Sequence, residues 1–195
     1  MTHMTSAAFA ALGLLVLAGV AGAQEDRSSN DICTAAARVA VAANDPRVVS
    51  SAYGVLARCP NGSATLATVW ASPPTDADAL TQLAHRSVEV ADRRILDATL
   101  TALQNTAASA AARRAALDVV LSQYNPEVVV SNSTWADPEH TSLGRRNDYY
   151  QVTGEQPITA TDRDRIVAAF RAMKDSDPDT QLRRIAARIV TDLGT

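Results

Sequence analysis

The stretch DPDTQLRRIAARIVTDLG, residues 177–194, decides how the chain folds, because it has the full pattern of an amphipathic helix. Its apolar residues recur at steps of three and four, which places them on one helix face. They are Leu182, Ile185, Ala186, Ile189, Val190 and Leu193. Asp177 followed by Pro178 is typical of a helix start, and Gly194 of the position just beyond a helix end. The stretch therefore predicts a helix capped by Asp177.

The same pattern occurs three more times. DPRVVSSAYGVLARC, residues 45–59, opens with Asp45 and Pro46. Its predicted buried stripe is Val48, Ala52, Val55, Leu56 and Cys59. Residues 91–105 and 109–125 each carry an arginine pair early and apolar residues at helical spacing afterwards. Recurrence of one helix pattern with short connections is typical of helical repeat proteins.

These stretches resemble HEAT-type repeats, whose second helix begins Asp-Pro, then an acidic residue, Val, Arg, Arg, and continues through alanines to a Leu. Residues 177–194 have two extra residues before Leu182, and residues 45–59 have Val49 and Ser50 in place of the arginine pair. The resemblance covers about half of the chain that remains after the N-terminal residues 1–23. It implies an all-α protein, a right-handed α-solenoid of stacked antiparallel helical hairpins that binds other proteins.

Other helix starts are predicted from capping signals. Thr75 with Asp78 and Thr161 with Asp164 have the spacing of a capping box. The stretch NPEVVV, which begins at Asn125, resembles one more helix start. No stretch of strand length alternates convincingly, which favours an all-α fold.

The cysteines Cys33 and Cys59 are predicted to form a disulfide. Residues 31–43 are expected to be the first helix of the first hairpin, with its inward face formed by Ile32, Ala36, Val39 and Ala43. In an antiparallel pair the start of one helix lies beside the end of the next, so the two thiols come within bonding distance. The alternative, a reactive or metal-binding thiol pair, lacks both CxxC spacing and a nearby histidine.

Residues 1–23 are predicted to be a signal peptide, because an apolar run from Phe9 to Val20 precedes the small residues Ala21, Gly22 and Ala23. The run is shorter than the roughly 20 residues that span a bilayer. An uncleaved anchor is the alternative, because His3 is the only positive side chain before the run. We expect residues 24–195 to form one exported domain, periplasmic or secreted, that is not membrane-embedded after cleavage.

The formal net charge of -3 makes the protein a poor candidate for nucleic-acid binding, which requires a basic surface. The arginine pairs that begin at Arg93, Arg113 and Arg183 allow two interpretations. They form a basic ladder for an acidic partner, or a solvated face whose charges pair with acids such as Asp92, Asp97 or Asp118. The sequence favours the solvated face.

Residues 131–159, SNSTWADPEHTSLGRRNDYYQVTGEQPIT, interrupt the helical period with turn-forming residues. A loop of this length is typical of a functional or disordered segment. Its candidate partner-binding residues are Trp135, His140, Arg145, Arg146, Tyr149 and Tyr150. One interpretation is a recognition loop for a protein or glycan, and the other is a linker whose aromatic residues cover the helices.

Sequence patterns for catalysis and for metal or cofactor binding are incomplete. His85 is expected at the surface or boundary of a helix, and His140 with Asp137 and Glu139 is a poor metal site because adjacent loop residues seldom point at one ion. The aspartates of DSDPD lack the Gly and Glu of a calcium loop. No cofactor or metal is predicted, and the chain is not expected to be an enzyme.

The sequence therefore predicts an exported helical-repeat protein that acts as a protein–protein interaction or scaffold module in the cell envelope. Self-association through the C-terminal helix is a further expectation. The alternative is a ligand-binding or enzymatic protein with its site in residues 131–159.

Overall fold

The computed structural model describes residues 29–90, 92–124 and 158–192, and the backbone of two short strands. The helices of this described part are α1 (residues 29–42), α2 (Pro46–Leu56), α3 (Gly62–Val69), α4 (Ala77–Glu89), α5 (Arg93–Gln104), α6 (Ala110–Tyr124), α7 (Ala160–Ser176) and α8 (Thr180–Asp192). The strands β1 (Val128–Val130) and β2 (Leu143–Arg145) form one short antiparallel ladder. The all-α prediction is confirmed for residues 29–90, 92–124 and 158–192, in which the elements are helices, whereas residues 128–130 and 143–145 form the two strands. None of the described helices is long and apolar enough to cross a membrane.

The helices form two layers. In one layer α2 contacts α4 and α4 contacts α6, while in the other α3 contacts α5 and α5 contacts α7. The layers meet where α5 packs on α6 and α2 on α3, and α7 pairs with α8. α6 contacts α4, α5, α7 and β1, and its residues Val119 to Gln123 are all buried. α6 is therefore the central helix of the fold.

The core between the layers is one continuous apolar cluster. Its largest side chains are Trp70, Tyr53 and Phe170, each at most 1% exposed. The indole Nε1 of Trp70 donates a 2.9 Å hydrogen bond to the buried hydroxyl of Ser87. The bond offsets the cost of removing both polar atoms from water.

The predicted disulfide is confirmed. The sulfur atoms of Cys33 and Cys59 lie 2.00 Å apart, and the bridge joins α1 to the turn that follows α2. In that turn the Gly62 amide donates to the Cys59 carbonyl at 3.0 Å. A Cβ atom at Gly62 would lie 1.7 Å from the Leu56 carbonyl oxygen, so the turn needs glycine there.

Two helix starts test the capping predictions near the N-terminus. Asp45 caps α2 and Pro46 is its first residue, as predicted. For α4, Thr75 is the wrong cap, because the side chain of Asp76 accepts the Ala79 amide at 2.9 Å. This start lets Ala79 and Leu80 begin the buried face of the helix.

The capping box of α7 lies two residues earlier than predicted. It is formed by Thr159 and Asp162, and the prediction of Thr161 with Asp164 is wrong. Asp162 is fully buried, whereas Thr161 and Asp164 are exposed. The tertiary partners of Asp162, described below, select this register.

The predicted cap of the last helix is also displaced. Asp179 accepts the Leu182 amide at 2.9 Å, so it caps α8 in place of Asp177. The Asp177 side chain is held by an arginine of another helix. The predicted apolar stripe of α8 is buried, except for Leu193, which lies outside the described residues.

Three further predictions are wrong: the burial of two apolar residues in α1 and α2, and the helix start after α6. Val48 is 45% exposed, because the large ring of Tyr53 joins Val49 in the core and turns the buried face of α2 by one residue. Ile32 is 56% exposed, because the packed part of α1 begins only at Ala36. The predicted helix start at NPEVVV is instead followed by β1, since three successive valines favour extended backbone.

Candidate functional site

The candidate partner-binding residues of the insert fall mostly outside the described structure. These are Trp135, His140, Arg146, Tyr149 and Tyr150. The backbone of Arg145 lies in β2, where it pairs with Val128. The predicted signal peptide, residues 1–23, also lies outside the described residues.

The helices on either side of the insert, α6 and α7, contact each other. Tyr124 is the last residue of α6, and the guanidinium of Arg163, in the first turn of α7, stacks 5.4 Å from the centre of its ring. This is within the distance of a cation–π interaction. The C-terminal end of α6 and the first turn of α7 are thus in direct contact.

A network of alternating charges joins α7 to α5. Arg93 donates to both carboxylate oxygens of Asp162, at 2.8 and 2.9 Å. Arg165 donates to Asp162 at 3.2 Å and to Asp97 at 2.9 Å. Hydrogen bonds from Thr159 and the charge of Arg93 hold the pKa of Asp162 below its ordinary value, although burial opposes them. The carboxylate form of Asp162 therefore stabilises the contact between the two helices.

A second ion pair joins the N-terminal end of α6 to the turn between α7 and α8. Arg113 donates from Nε and Nη2 to the two oxygens of Asp177, both at 2.9 Å. Arg113 and Asp177 are each only 3% exposed. Arg113 also donates to the Ala108 carbonyl. The expectation that Arg113 lies on a solvated face is wrong, because its side chain is buried. Its partner is not a neighbouring acid but Asp177, 64 residues away in sequence.

The first arginine pair does include one local contact of the expected kind. Arg94 binds the carboxylate of Asp92, whose other partner is the hydroxyl of Ser63 on α3. Hydrogen bonds from Arg94 lower the pKa of Asp92 to about 2. Asp92 also caps α5, so one carboxylate fixes the helix start and its contact with α3.

An open cleft of about 440 Å³ lies between α4 and α6. On one side it is lined by Thr75, Ala77, Leu80, Thr81, Ala84 and His85. On the other side it is lined by Ala111, Arg114, Ala115 and Asp118. Leu80 and Ala84 are buried and form an apolar floor, whereas Thr75, Thr81 and Ala111 at the rim are exposed. We call this the α4/α6 cleft.

Three half-buried ionisable side chains lie in the α4/α6 cleft: His85, Arg114 and Asp118. His85 lies in the middle of α4, half-buried at the boundary between the surface and the core, as predicted. Burial lowers the pKa of Arg114, and the negative charge of Asp179 offsets this only in part, so the pKa lies below its ordinary value. Arg94 differs, because its ion pair with Asp92 raises its pKa. The Arg114 cation is therefore less stabilised by its surroundings than the Arg94 cation.

A second groove, of about 570 Å³, lies between α1 and α3. Its walls are formed by small or apolar side chains and one arginine: Thr34, Ala37, Arg38, Val41, Ala42, Ala64, Thr65 and Thr68. Val41 is 64% exposed, more than the other large apolar residues that lie exposed in the described structure, Ile32 and Val48. All three belong to the first hairpin. We call this the α1/α3 groove.

The outer face of α8 differs from this groove. Its apolar residues point inward, and its exposed residues include Arg184, Arg188 and Asp192. The guanidinium of Arg188 binds Asp192 at 3.1 Å. This polar face is less suited to self-association through burial of apolar surface than the first hairpin is.

Sequence reasoning missed both clefts and singled out neither Thr81 nor Val41, and it named Arg114 only as the second member of the pair that begins at Arg113. A signal was available for the α4/α6 cleft, since residues 77, 81, 84 and 85 and residues 111, 114, 115 and 118 each follow helical spacing. What the sequence lacks is the contact between α4 and α6, which places the two stripes opposite each other. The pairing of Arg113 with Asp177 has no local signal, because it depends on the docking of α8.

The described geometry presents surfaces that suit binding. Among the residues with described side chains, no group of three or more His, Cys, Asp and Glu is arranged to hold a metal ion. The open clefts are lined by mixtures of apolar and charged side chains, which is typical of protein-binding surfaces. No protein-family model matches this sequence, and comparison with curated proteins and with solved structures likewise gives no match.

Proposed function

We propose that the chain is an exported HEAT-like repeat protein that binds another protein in the cell envelope. The disulfide supports export, because such bridges persist in oxidising compartments. The contacts that run from α2 through α4 to α6, and from α3 through α5 to α7, support a stack of helical hairpins, and the right-handed α-solenoid is what the resemblance to HEAT-type repeats implies for it. A stack of this kind acts by presenting an extended, rigid surface to a partner.

The α1/α3 groove is the observation that carries the proposal. Its small side chains, such as Ala37 and Ala64, leave space for a ridge of a partner, and Val41 supplies exposed apolar surface beside it. Burying such surface favours association by about 25 cal/mol per Å² before the costs of binding are subtracted. A partner with an apolar helix or loop would fit this groove better than a charged one.

The test is affinity capture from an envelope fraction with residues 24–195 as bait, read by quantitative mass spectrometry. Val41→Arg introduces a charge at an exposed position of the groove, and Thr101→Arg is the matched control at an exposed position of α5. We expect a stoichiometric partner that the unchanged and Thr101→Arg baits retain and the Val41→Arg bait loses. Capture of no stoichiometric partner would contradict the proposed function.

A fourth bait separates this function from the alternative, in which residues 131–159 form a ligand-binding or enzymatic site. In it residues 125–157 are replaced by a Gly-Ser link from Tyr124 to Ile158, which can close because Tyr124 and Arg163 are neighbours. Loss of the partner from this bait alone would place binding on the insert. Retention would support the helical surface. The polar outer face of α8 favours a different protein as partner over self-association through that helix.

A further inference from the structure

The turn between α2 and α3 ends in an asparagine that is followed by a glycine, Asn61 and Gly62. This pair is prone to spontaneous deamidation, because glycine has no side chain to hinder its backbone nitrogen. The Gly62 nitrogen attacks the side-chain carbonyl carbon of Asn61, ammonia leaves with the proton of that nitrogen, and a five-membered succinimide ring forms. Water then opens the ring to aspartate or to isoaspartate, in which the main chain runs through the former side chain.

The structure explains why this pair is present and reactive in principle. A Cβ atom at Gly62 would lie 1.7 Å from the Leu56 carbonyl oxygen, so no bulkier residue that would slow the attack fits there. Asn61 is exposed, and its side chain makes no capping hydrogen bond to α3, all of whose residues are described. The amide that reacts is therefore open to solvent.

Two features of the folded turn oppose the attack. At the ψ angle of 15° that Asn61 has, tetrahedral geometry places the Gly62 nitrogen on the far side of the Cα–C bond from the Asn61 side chain. The Gly62 N–H also donates to the Cys59 carbonyl at 3.0 Å. Ring closure requires a rotation about the Cα–C bond of Asn61, which carries the Gly62 nitrogen away from Cys59. The turn must therefore open before Asn61 reacts.

The disulfide holds the residue on which this protection depends. Cys59 supplies the carbonyl that accepts the Gly62 N–H, and its sulfur is bonded to Cys33 of α1. Both cysteines are half-buried, which leaves the bridge accessible to a thiol reductant. α1 itself packs through small side chains, since its buried residues are Ala36 and Ala40. Reduction should therefore free Cys59 and the turn more readily than it opens the rest of the core.

We propose that Asn61 is a deamidation site that the disulfide of Cys33 and Cys59 keeps closed, so that reduction is followed by an irreversible change of the turn. Isoaspartate adds one methylene to the main chain and a negative charge at residue 61. The fit of Gly62 against Leu56 is too close for this longer main chain. A molecule that has reacted should not rebuild the same turn, and its bridge should re-form less completely.

Peptide mapping by mass spectrometry after incubation at neutral pH tests the site, in water labelled with heavy oxygen that enters the new carboxyl group. The unchanged protein is compared with and without dithiothreitol, and with the variant that has serine at both cysteine positions. We expect Asn61 to react at least about tenfold faster in the reduced protein and in the serine variant than in the oxidised protein. Equal rates with and without the bridge would overturn the inference.

Asn105 is the matched control within the same digest. It is exposed in the connection between α5 and α6, but it precedes Thr106, whose branched side chain hinders the backbone nitrogen. Asn105 should react slowly in every sample. Acceleration of Asn105 together with Asn61 would mean that reduction unfolds the whole chain, and it would overturn the local control of the turn by the bridge.

A reduced peptide of residues 57–65 gives the rate of the open turn. The oxidised protein should react more slowly at Asn61 than this peptide, and equal rates would overturn the protection by the fold. This comparison needs no variant, so it remains valid if the serine variant does not fold.

Removal of the reductant tests the irreversible step. Molecules with isoaspartate at residue 61, detected by enzymatic methylation, should be enriched among those that keep free thiols, detected by alkylation. Equal shares of isoaspartate in bridged and free-thiol molecules would overturn this part of the proposal. These measurements involve no partner protein, so the inference and the proposed protein-binding function are tested separately.

Discussion

The hairpin of α1 and α2 is closed by a covalent bond, whereas the hairpin of α7 and α8 is tied to the rest of the chain by ion pairs. The bridge of Cys33 and Cys59 spans 26 residues and acts within one hairpin. The pairs of Arg93 with Asp162 and Arg113 with Asp177 span 69 and 64 residues and reach across the insert. One end of the molecule therefore depends on redox conditions, and the other on charge.

This difference suits the position of each hairpin. The first hairpin has exposed Val41 and Val48, and a covalent closure holds it without requiring a neighbour on its outer side. The last hairpin follows the insert and must be docked by contacts that are specific at long range. A bidentate pair of arginine and carboxylate fixes orientation as well as distance, which is the requirement there. Removing the disulfide should therefore destabilise the first hairpin, and removing an ion pair should destabilise the last hairpin.

The largest effect is expected at the buried pair. Asp177→Ala leaves the Arg113 cation buried without its bidentate partner, which should lower the free energy of unfolding by about 3–5 kcal/mol. Urea denaturation followed by circular dichroism measures the loss. The matched control is Arg188→Met, which breaks the exposed pair with Asp192 in α8 and should cost less than about 1 kcal/mol.

A double variant completes this test. Arg113→Met with Asp177→Leu removes both charges and should be more stable than Asp177→Ala alone, since no buried charge is left uncompensated. Equal loss in Asp177→Ala and Arg188→Met would show that the buried pair does not hold the last hairpin.

The next effect is the loss of the bridge. Replacing Cys33 and Cys59 by serine should lower the free energy of unfolding by about 3–4 kcal/mol, mainly because the unfolded chain gains freedom. The loss should match that caused by a reductant on the unchanged protein, and the reductant should have no effect on the variant that has serine at both cysteine positions. An unchanged unfolding midpoint in the serine variant would contradict the covalent closure of the first hairpin.

The sequence predicted the bridge and the amphipathic helices because both follow from local rules. The stripe from Leu182 to Val190 repeats at helical spacing, and antiparallel pairing of two helices brings Cys33 to Cys59. The predicted caps of α4, α7 and α8 and the predicted burial of Val48 were wrong because several neighbouring residues satisfy the local rule equally well. The packing of Tyr53 and the ion pair of Asp162 with Arg93 determine which of these residues is buried or caps the helix.

The ion pairs and the α4/α6 cleft follow from no local rule. Arg113 and Arg114 are adjacent in sequence, yet one is buried against Asp177 and the other lines a cleft. Arg113 meets Asp177 in the turn between α7 and α8, whereas the contact of α4 with α6 forms the cleft that Arg114 lines. The sequence therefore predicted the elements, and the tertiary contacts decide which charged residues become a candidate site.

Replacing a glycine by alanine in α2 and in the turn after it should change the stability by smaller amounts of opposite sign. Gly62→Ala places a Cβ atom against the Leu56 carbonyl and should destabilise the fold by about 1–3 kcal/mol. Gly54→Ala, in the interior of α2, meets the Arg86 side chain only at 3.8 Å and should stabilise by about 0.5–1 kcal/mol. Thermal melting of both variants measures the pair, and a stabilised Gly62→Ala would contradict the close approach in the turn.

The pH dependence of the stability tests a single contact of the last hairpin. It distinguishes the ion pairs from the disulfide, because the disulfide does not titrate. The pKa of Asp162 is held below its ordinary value of 3.8 by Thr159 and Arg93. A carboxylate with a lowered pKa in the folded state stabilises the fold above its unfolded pKa, and this contribution is lost as the pH falls through the folded value. The same direction holds for Asp92, whose pKa is about 2.

The test compares the unchanged protein with Asp162→Asn by urea denaturation from pH 6 to pH 2. The variant should be less stable at pH 6, and the difference should shrink below about pH 4, because the protonated carboxyl of the unchanged protein loses its ion pair as well. The serine variant of the first hairpin should keep a constant difference over the same range, since the bridge does not titrate. A constant difference for Asp162→Asn would mean that the charge of Asp162 does not stabilise the contact of α7 with α5.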